Sequence, residues 1–255
     1  MNFHYRFNIQ FLGYRYSGWM FQPKYKTVQG MVDKTFEFLF PESKFKTFGE
    51  SRTDAKVSAN TFYFYLNIDR EIVDPNFIEI FNSNLPNDIK ALSLKSVPAG
   101  YNPLGLKNNK HYIYLFSFGE KPHPFAAAIL FNEPKHLDIE KMKVGAKLFE
   151  GTHNFVKYCS KPTANTILTR EVTHCEIVEN TFYAANFFPE KSYCLSIKSQ
   201  GFLRYQVRLI MGQLFELGKG NITLKDIKDS LIPMDEIPVR NIAAGSALIL
   251  QEIMP

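Results

Sequence analysis

Large apolar and polar residues alternate over residues 5–12. They alternate more strongly over 61–68, where Thr61-Phe62-Tyr63-Phe64-Tyr65-Leu66-Asn67-Ile68 reads as a β-strand. Between the two strands the period changes. Val28, Met31, Val32, Phe36, Leu39 and Phe40 share one side of a 3.6-residue helix, with Thr27 at the N-cap and Pro41 as its stop. Asp74-Pro75 opens a second helix whose buried side carries Phe77, Ile78, Phe81 and Leu85. The first half therefore reads strand, helix, strand, helix, strand.

Beyond Tyr101 the same alternation of elements returns. The basic loop Lys107-Asn108-Asn109-Lys110-His111 leads into a strand over 112–118. A helix begins at Asp138, shows Ile139, Met142, Ala146 and Phe149 on one face, and closes at Gly151. Strands over 171–178 and 193–198 come before a helix marked by Val207, Ile210, Met211, Leu214 and Leu217, with Gly218 expected as its C′ glycine. Arg204 and Arg208, four residues apart, are expected on one face of that helix. Thr223 caps a short last helix, and 247–250 forms a closing strand.

Residues 1–105 and 106–255 thus read as pseudo-duplicated strand–helix halves with no low-complexity linker between them. The expected fold class is α/β in the broad α+β sense: a mostly antiparallel sheet, helices packed on it, and an active-site cleft at the junction.

Composition alters this picture only slightly. The chain has 255 residues, of which 45% are apolar and 22% charged, enough for a sizeable core in an ordinary globular protein. A net charge of +5 suits a partner carrying phosphates without requiring one. The three cysteines, Cys159, Cys175 and Cys194, are scattered with no C-x-x-C pair, which argues against a zinc site or a disulfide framework. Reduced thiols in a cytosol are the default. No apolar run approaches ~18 residues, and the start, Met1-Asn2-Phe3-His4-Tyr5-Arg6, resembles neither a signal nor a transit peptide. A cytoplasmic protein without a membrane segment is expected.

Two loops carry candidate chemistry. Residues 48–59 hold few large apolar side chains and place Arg52 and Asp54 just before the 61–68 strand. Taken alone, Asp54 is most simply a turn aspartate bonded to backbone. Residues 13–23 form a second loop by their glycines and proline. Its Trp19 suits stacking on bases, though core packing is the commoner use of such a ring.

Ser51-Arg52-Thr53-Asp54-Ala55-Lys56-Val57-Ser58-Ala59 resembles the Gly-Arg-Thr-Asp-Ala-Gly-Val-His-Ala signature of the TruA family of tRNA pseudouridine synthases. Further segments agree in order along nearly the whole chain. Residues 13–23 resemble the family's Tyr-x-Gly-x-x-Tyr-x-Gly-Trp-Gln-x-Gln loop, and Thr27-Val28-Gln29 follows at the matching place. Leu85-Pro86-Asn87-Asp88-Ile89 is similar to its Leu-Pro-x-Asp-Ile, and Lys110-His111-Tyr112-Ile113-Tyr114 to its Lys-x-Tyr-x-Tyr. Gly151-Thr152-His153-Asn154-Phe155 resembles Gly-x-His-Asp-Phe, and 202–208 resembles the Phe-Leu-x-His-x-Val-Arg helix. Leu248-Ile249-Leu250 resembles its terminal Leu-x-Leu. Departures fall at Ser51, Lys56, Ser58 and Asn154, and at Tyr101-Asn102-Pro103-Leu104-Gly105, where the family's Phe-His-Ala-Arg-Phe loses its arginine.

The resemblance implies an RNA pseudouridine synthase that isomerises uridine, most simply in tRNA, without metal or organic cofactor. A synthase for another RNA, or a non-catalytic RNA-binding paralogue, are the alternatives. It further implies Asp54 as the catalytic carboxylate, Arg208 as the cation that keeps it ionised, and Tyr112 as the ring and hydroxyl facing the uracil. Arg52 would fill the gap left by a flipped base, and Leu248 would line the uracil pocket. Lys56, Lys107, Lys110, Arg204 and Lys219 are candidate contacts to the RNA backbone. A homodimer gripping one tRNA is the family expectation. His153 and the other histidines receive no catalytic role.

Overall fold

The computed structural model describes residues 2–101, 108–232 and 237–254. Lys107, the 105/106 boundary and the 102–105 part of the departing segment lie outside the described residues. The chain forms two compact units, Met1–Lys107 with Leu250–Ile253, and Asn108–Ile249 with Met254–Pro255. The class is mixed α and β with mostly antiparallel strands, as the residue pattern predicts. Among the described residues no helix is long and apolar enough to cross a membrane.

The first unit is built on β1 (Phe3–Phe11), flanked by antiparallel β3 (Ser58–Ile68) and β4 (Ile89–Ser96). The other side of β3 takes β2 (Phe45–Gly49) and the Leu250–Ile253 part of β11 (Leu248–Met254). Every second residue of β1, from Tyr5 through Phe7 and Ile9 to Phe11, is buried. That face receives α1 (Val28–Leu39) and α2 (Phe77–Asn84). Phe7 stacks on Phe64 at 4.7 Å and meets Phe36 of α1 and Phe81 of α2 at 5.6 and 5.5 Å. Each such ring is worth roughly 1.5–3 kcal/mol of burial. The Thr27 hydroxyl caps α1 by accepting from the Gly30 N–H, as predicted. Strand β2 is an addition to the expected elements. It is short, and its last residues, Phe48 and Gly49, belong to the sheet rather than to the loop assigned from sequence.

The second unit is organised on β5 (Asn109–Phe118), buried along most of its length. Antiparallel β10 (Tyr193–Ser199) lies beside it, then β9 (His174–Glu179), while β6 (Phe131–Glu133) pairs β5 in parallel. The strand expected over 171–178 is two strands with different partners. β8 (Thr169–Val172) pairs β7 (Gly151–Asn154), and the break at Thr173 lets β9 join β10.

Helix α3 (Ile139–Lys147), capped by Asp138, packs against α4 (Gln206–Gly218), and α5 (Leu224–Ser230) begins with a Thr223–Asp226 capping box. Two expectations are corrected here. Gly218 is the last residue of α4, not its C′; a Cβ there would sit 2.5 Å from the Met142 sulfur, so packing requires the glycine. Arg204 lies outside α4, because Tyr205 takes a left-handed conformation (φ 65°) as the N-cap and the helix starts after it.

Candidate active site

In the first unit β2 ends at Gly49 and β3 begins at Ser58, and the connecting loop carries Arg52, Asp54 and Lys56. Neighbouring backbone holds this loop at several points. Gly13 N–H donates to Ser58 Oγ at 2.9 Å, Lys56 N–H donates to the Tyr16 carbonyl at 2.9 Å, and Trp19 N–H donates to the Thr53 carbonyl at 3.4 Å. Gly18, at φ 92°, lets the chain pass against the loop; a Cβ there would lie 2.4 Å from the Thr53 oxygen. Trp19 is buried against Phe62 at 4.4 Å, so it serves packing rather than stacking on RNA. The outcome is alternation within the loop. Ser51 and Thr53 are buried, Arg52 and Lys56 exposed, and Asp54 half-buried.

This cradle is itself pinned. The Asp88 carboxylate accepts from Arg15 Nε at 2.7 Å and from the Tyr16 hydroxyl at 2.6 Å. Burial pushes the Asp88 carboxyl up, but these hydrogen bonds and the Arg15 charge outweigh it and hold the group below its ordinary range.

Beneath the root of the loop lies a polar cluster that sequence reading did not find. Arg6 and Tyr65 are register partners in β1 and β3. The buried Glu50 carboxylate accepts from the Tyr65 hydroxyl at 3.2 Å and faces Arg6 Nη2 at 3.7 Å. The Arg6 guanidinium lies 3.6 Å from the centre of the Tyr63 ring. Burial, then the Glu50 charge, raises the Tyr65 hydroxyl far above its usual range, so it remains a donor. The members are distant in the chain, and no local pattern announces them.

In the second unit, Lys110 and Tyr112 stand on β5. Tyr112 is buried and meets Phe202 edge-to-face at 5.4 Å. The shared helix face expected for Arg204 and Arg208 is not formed, because Arg204 precedes α4. Both guanidinium groups sit over the Tyr205 ring, at 5.1 and 4.8 Å. Arg204 is exposed, whereas Arg208 is half-buried and donates from Nε to the Ala243 carbonyl at 2.7 Å, with Ala243 N–H returning a bond to the Arg208 carbonyl at 3.0 Å. Beside it, burial raises the Tyr114 hydroxyl and the Arg208 charge partly offsets that. Leu248 is buried at the start of β11. Lys219 is engaged by Glu216 at 2.5 Å and Glu133 at 3.7 Å, which leaves it poorly placed for phosphate.

Two histidines of this unit are held by neighbouring groups. His111 contacts Ser196 Oγ at 2.9 Å, and burial, then Lys198 and His174, push it down to about 4. His153 contacts the Glu150 carbonyl at 2.8 Å. All three cysteines are buried thiols, and among the described residues no group of His, Cys, Asp and Glu forms a metal-binding cluster.

Residues 146–248, which include Arg204, Arg208 and Leu248, match the family described as tRNA pseudouridine synthase. Curated relatives called tRNA pseudouridine synthase A extend the likeness over nearly the whole chain. The protein of Thermodesulfovibrio yellowstonii is 28% identical over 254 residues, 98% of each chain. That of Hydrogenobaculum sp. is 32% identical over 233 residues, 89% of this chain and 90% of the relative. The chain belongs to the TruA family of tRNA pseudouridine synthases. A Listeria welshimeri relative, 28% identical over 91% of this chain, agrees.

Membership gives the departures from the TruA signature a physical meaning. The second signature glycine is Lys56 here, and its φ of 68° is the left-handed region that glycine favours. This member keeps a lysine there at about 1–3 kcal/mol of backbone strain. The signature histidine is Ser58, whose hydroxyl accepts the Gly13 N–H.

Proposed function

We propose that the protein isomerises uridine to pseudouridine in tRNA, with Asp54 as the catalytic carboxylate. The observation that carries this reading is an intact Arg52-Thr53-Asp54-Ala55 signature, held by a backbone cradle, in a chain related over nearly its full length to proteins called tRNA pseudouridine synthase A. In the reaction the N1–C1′ bond of the nucleotide breaks, a C5–C1′ bond forms, and the C5 proton is replaced by one on N1. Nothing is oxidised or hydrolysed, so the chemistry asks for a positioned carboxylate rather than a metal or organic cofactor.

Arg208 supplies the compensating positive charge and Tyr112 the ring that receives uracil, with Leu248 beside it. Arg52, exposed on the Asp54 loop, enters the stack when the target base leaves it, an event that costs a few kcal/mol. Lys56, Lys110 and Arg204 contact phosphates. The protein works in the cytoplasm as a homodimer.

The test is Asp54→Asn, which keeps size and removes the nucleophilic charge. Pseudouridine formation, followed by tritium release, falls to background while filter binding of tRNA stays within a few-fold, since affinity comes mainly from phosphate contacts. Normal product from the variant ends the catalytic assignment. Binding without product from the parent, on every RNA tried, makes the protein a binding module instead.

A further inference from the structure

The segment that cradles the Asp54 loop also presents large apolar side chains to solvent. Along it Tyr14, Met20, Phe21 and Tyr25 are exposed, Phe21 by 54% and Tyr25 by 62%. Single exposed apolar residues are ordinary, but four within one ordered segment are not.

The backbone beneath them is fixed. The Gly18 and Trp19 carbonyls accept from Val28 and Gln29 at the start of α1, Ser17 N–H donates to the Lys26 carbonyl at 2.8 Å, and Gln22 Nε2 donates to the Ser17 carbonyl at 3.2 Å. The side chains between them are basic. From Gly13 to Lys26 the charged residues are Arg15, Lys24 and Lys26, with no acid. Arg15 is engaged by Asp88, Lys26 Nζ lies 5.2 Å from the Tyr16 ring, and Lys56 Nζ lies 5.7 Å from the Tyr14 ring. Phe21 also borders a cavity of about 600 Å³ lined by Asp33, Glu37, Lys44 and Lys46 among others. Charge is balanced there, so the positive excess lies with Lys24, Lys26 and Lys56.

We propose that residues 14–26 form a stacking platform for unpaired RNA bases next to the uridine addressed by Asp54, with Lys24, Lys26 and Lys56 pairing the intervening phosphates. Aromatic faces interleaved with cations are the chemistry that binds single-stranded nucleic acid with little sequence preference. A protein partner would call for fewer lysines at the centre of its patch. The platform is joined to the Asp54 loop by the Tyr16–Lys56 and Trp19–Thr53 hydrogen bonds. Lys56 is common to both, and its strained backbone is the kind retained where a side chain has a task.

The proposal rests on the RNA-modifying reading, and the experiment separates the two. Filter binding of a pool of unmodified tRNA transcripts, over a series of salt concentrations, is compared between the parent and full-length variants. Phe21→Ala/Tyr25→Ala weakens binding by about 5-fold to about 100-fold per lost stack while leaving the salt slope unchanged. Phe21→Trp/Tyr25→Trp restores the affinity. Lys24→Ala/Lys26→Ala lowers the salt slope by about 1.4, two phosphate contacts on a single strand. Because these side chains are exposed, melting temperatures stay at the parent value. Affinity within twofold of the parent for the Phe21→Ala/Tyr25→Ala variant overturns the platform even if the parent isomerises uridine normally. The same result with loss of self-association in sedimentation would assign the segment to a protein contact, and also overturns it. A parent that binds no RNA removes the functional reading and the platform together.

Discussion

Replacing Glu50 by alanine removes the one acid of the cluster beneath the Asp54 loop. The Tyr65 hydroxyl then loses its acceptor at 3.2 Å, and Arg6 loses its counterion at 3.7 Å. Truncating one member of a fully buried pair typically costs about 3–5 kcal/mol. The Glu50 side chain is only 4% exposed, but that of Arg6 keeps 26%, and 3.7 Å is too long for a direct hydrogen bond, so water recovers part of the loss. A destabilisation of about 2–3 kcal/mol is expected, which for a chain of this size lowers the melting temperature by roughly 4–12 °C. Glu50→Gln, which retains an acceptor for Tyr65, falls between the variant and the parent. Glu50 N–H also donates to the Tyr63 carbonyl at 2.9 Å, at the base of the loop that carries Asp54. Pseudouridine formation at saturating tRNA, measured well below the variant's melting temperature, is therefore expected to fall as well. Calorimetry or circular dichroism supplies the first number and tritium release the second. An alanine variant melting within 1 °C of the parent would deny the burial penalty, and a glutamine variant as damaged as alanine would deny the role of the Tyr65 hydrogen bond.

Lys56→Gly releases the left-handed strain at φ 68°, and after the extra chain entropy of glycine the protein gains up to about 1 kcal/mol; a raised melting temperature with a salt slope lowered by about 0.7 is the expected pair of readings. Gly18→Ala places a methyl 2.4 Å from the Thr53 oxygen at φ 92°, so the Asp54 loop must shift, and turnover is expected to fall at least tenfold, about 1.4 kcal/mol in barrier. Unchanged kinetics would mean that the cradle does not set the loop. His111 is pushed down to about 4 from an unfolded value near 6.5, so its neutral form contributes stability that is complete above pH ~6.5 and is lost as pH falls toward 4. Melting temperatures of His111→Gln between pH 7 and 4.5 should decline less steeply than the parent's, and parallel curves would exclude the buried histidine as a cause of acid sensitivity.

The features legible from residues alone are those decided within a few positions of the chain. The caps at Thr27 and Thr223 and the helix start at Asp138 were readable because each hydroxyl or carboxylate bonds an N–H three residues away, and the apolar period locates the helix that follows. The alternation over 61–68 likewise marks β3, because Phe64 on its buried face packs against Phe7 of β1 and Phe36 of α1. The Asp54 loop was identified by resemblance to a signature. Its residue types permit an ordinary turn equally well, and nothing in them tells what holds it.

Tertiary structure decided the rest, for reasons of partner and distance. Five-residue β2 exists because β3 offers it an edge, and the 171–178 strand breaks because its two ends pair with different strands. Arg204 and Arg208 both approach the Tyr205 ring because left-handed Tyr205 puts the start of the helix at Gln206, past Arg204. Gly218 is a glycine because Met142 occupies the space a side chain would need. Glu50 is held by Arg6 from one strand and Tyr65 from another, contacts that exist only once the strands are in register. Helix signals are intramolecular neighbours in sequence and can be read there; a strand edge, a close approach or a buried charge is defined by what the fold brings to it.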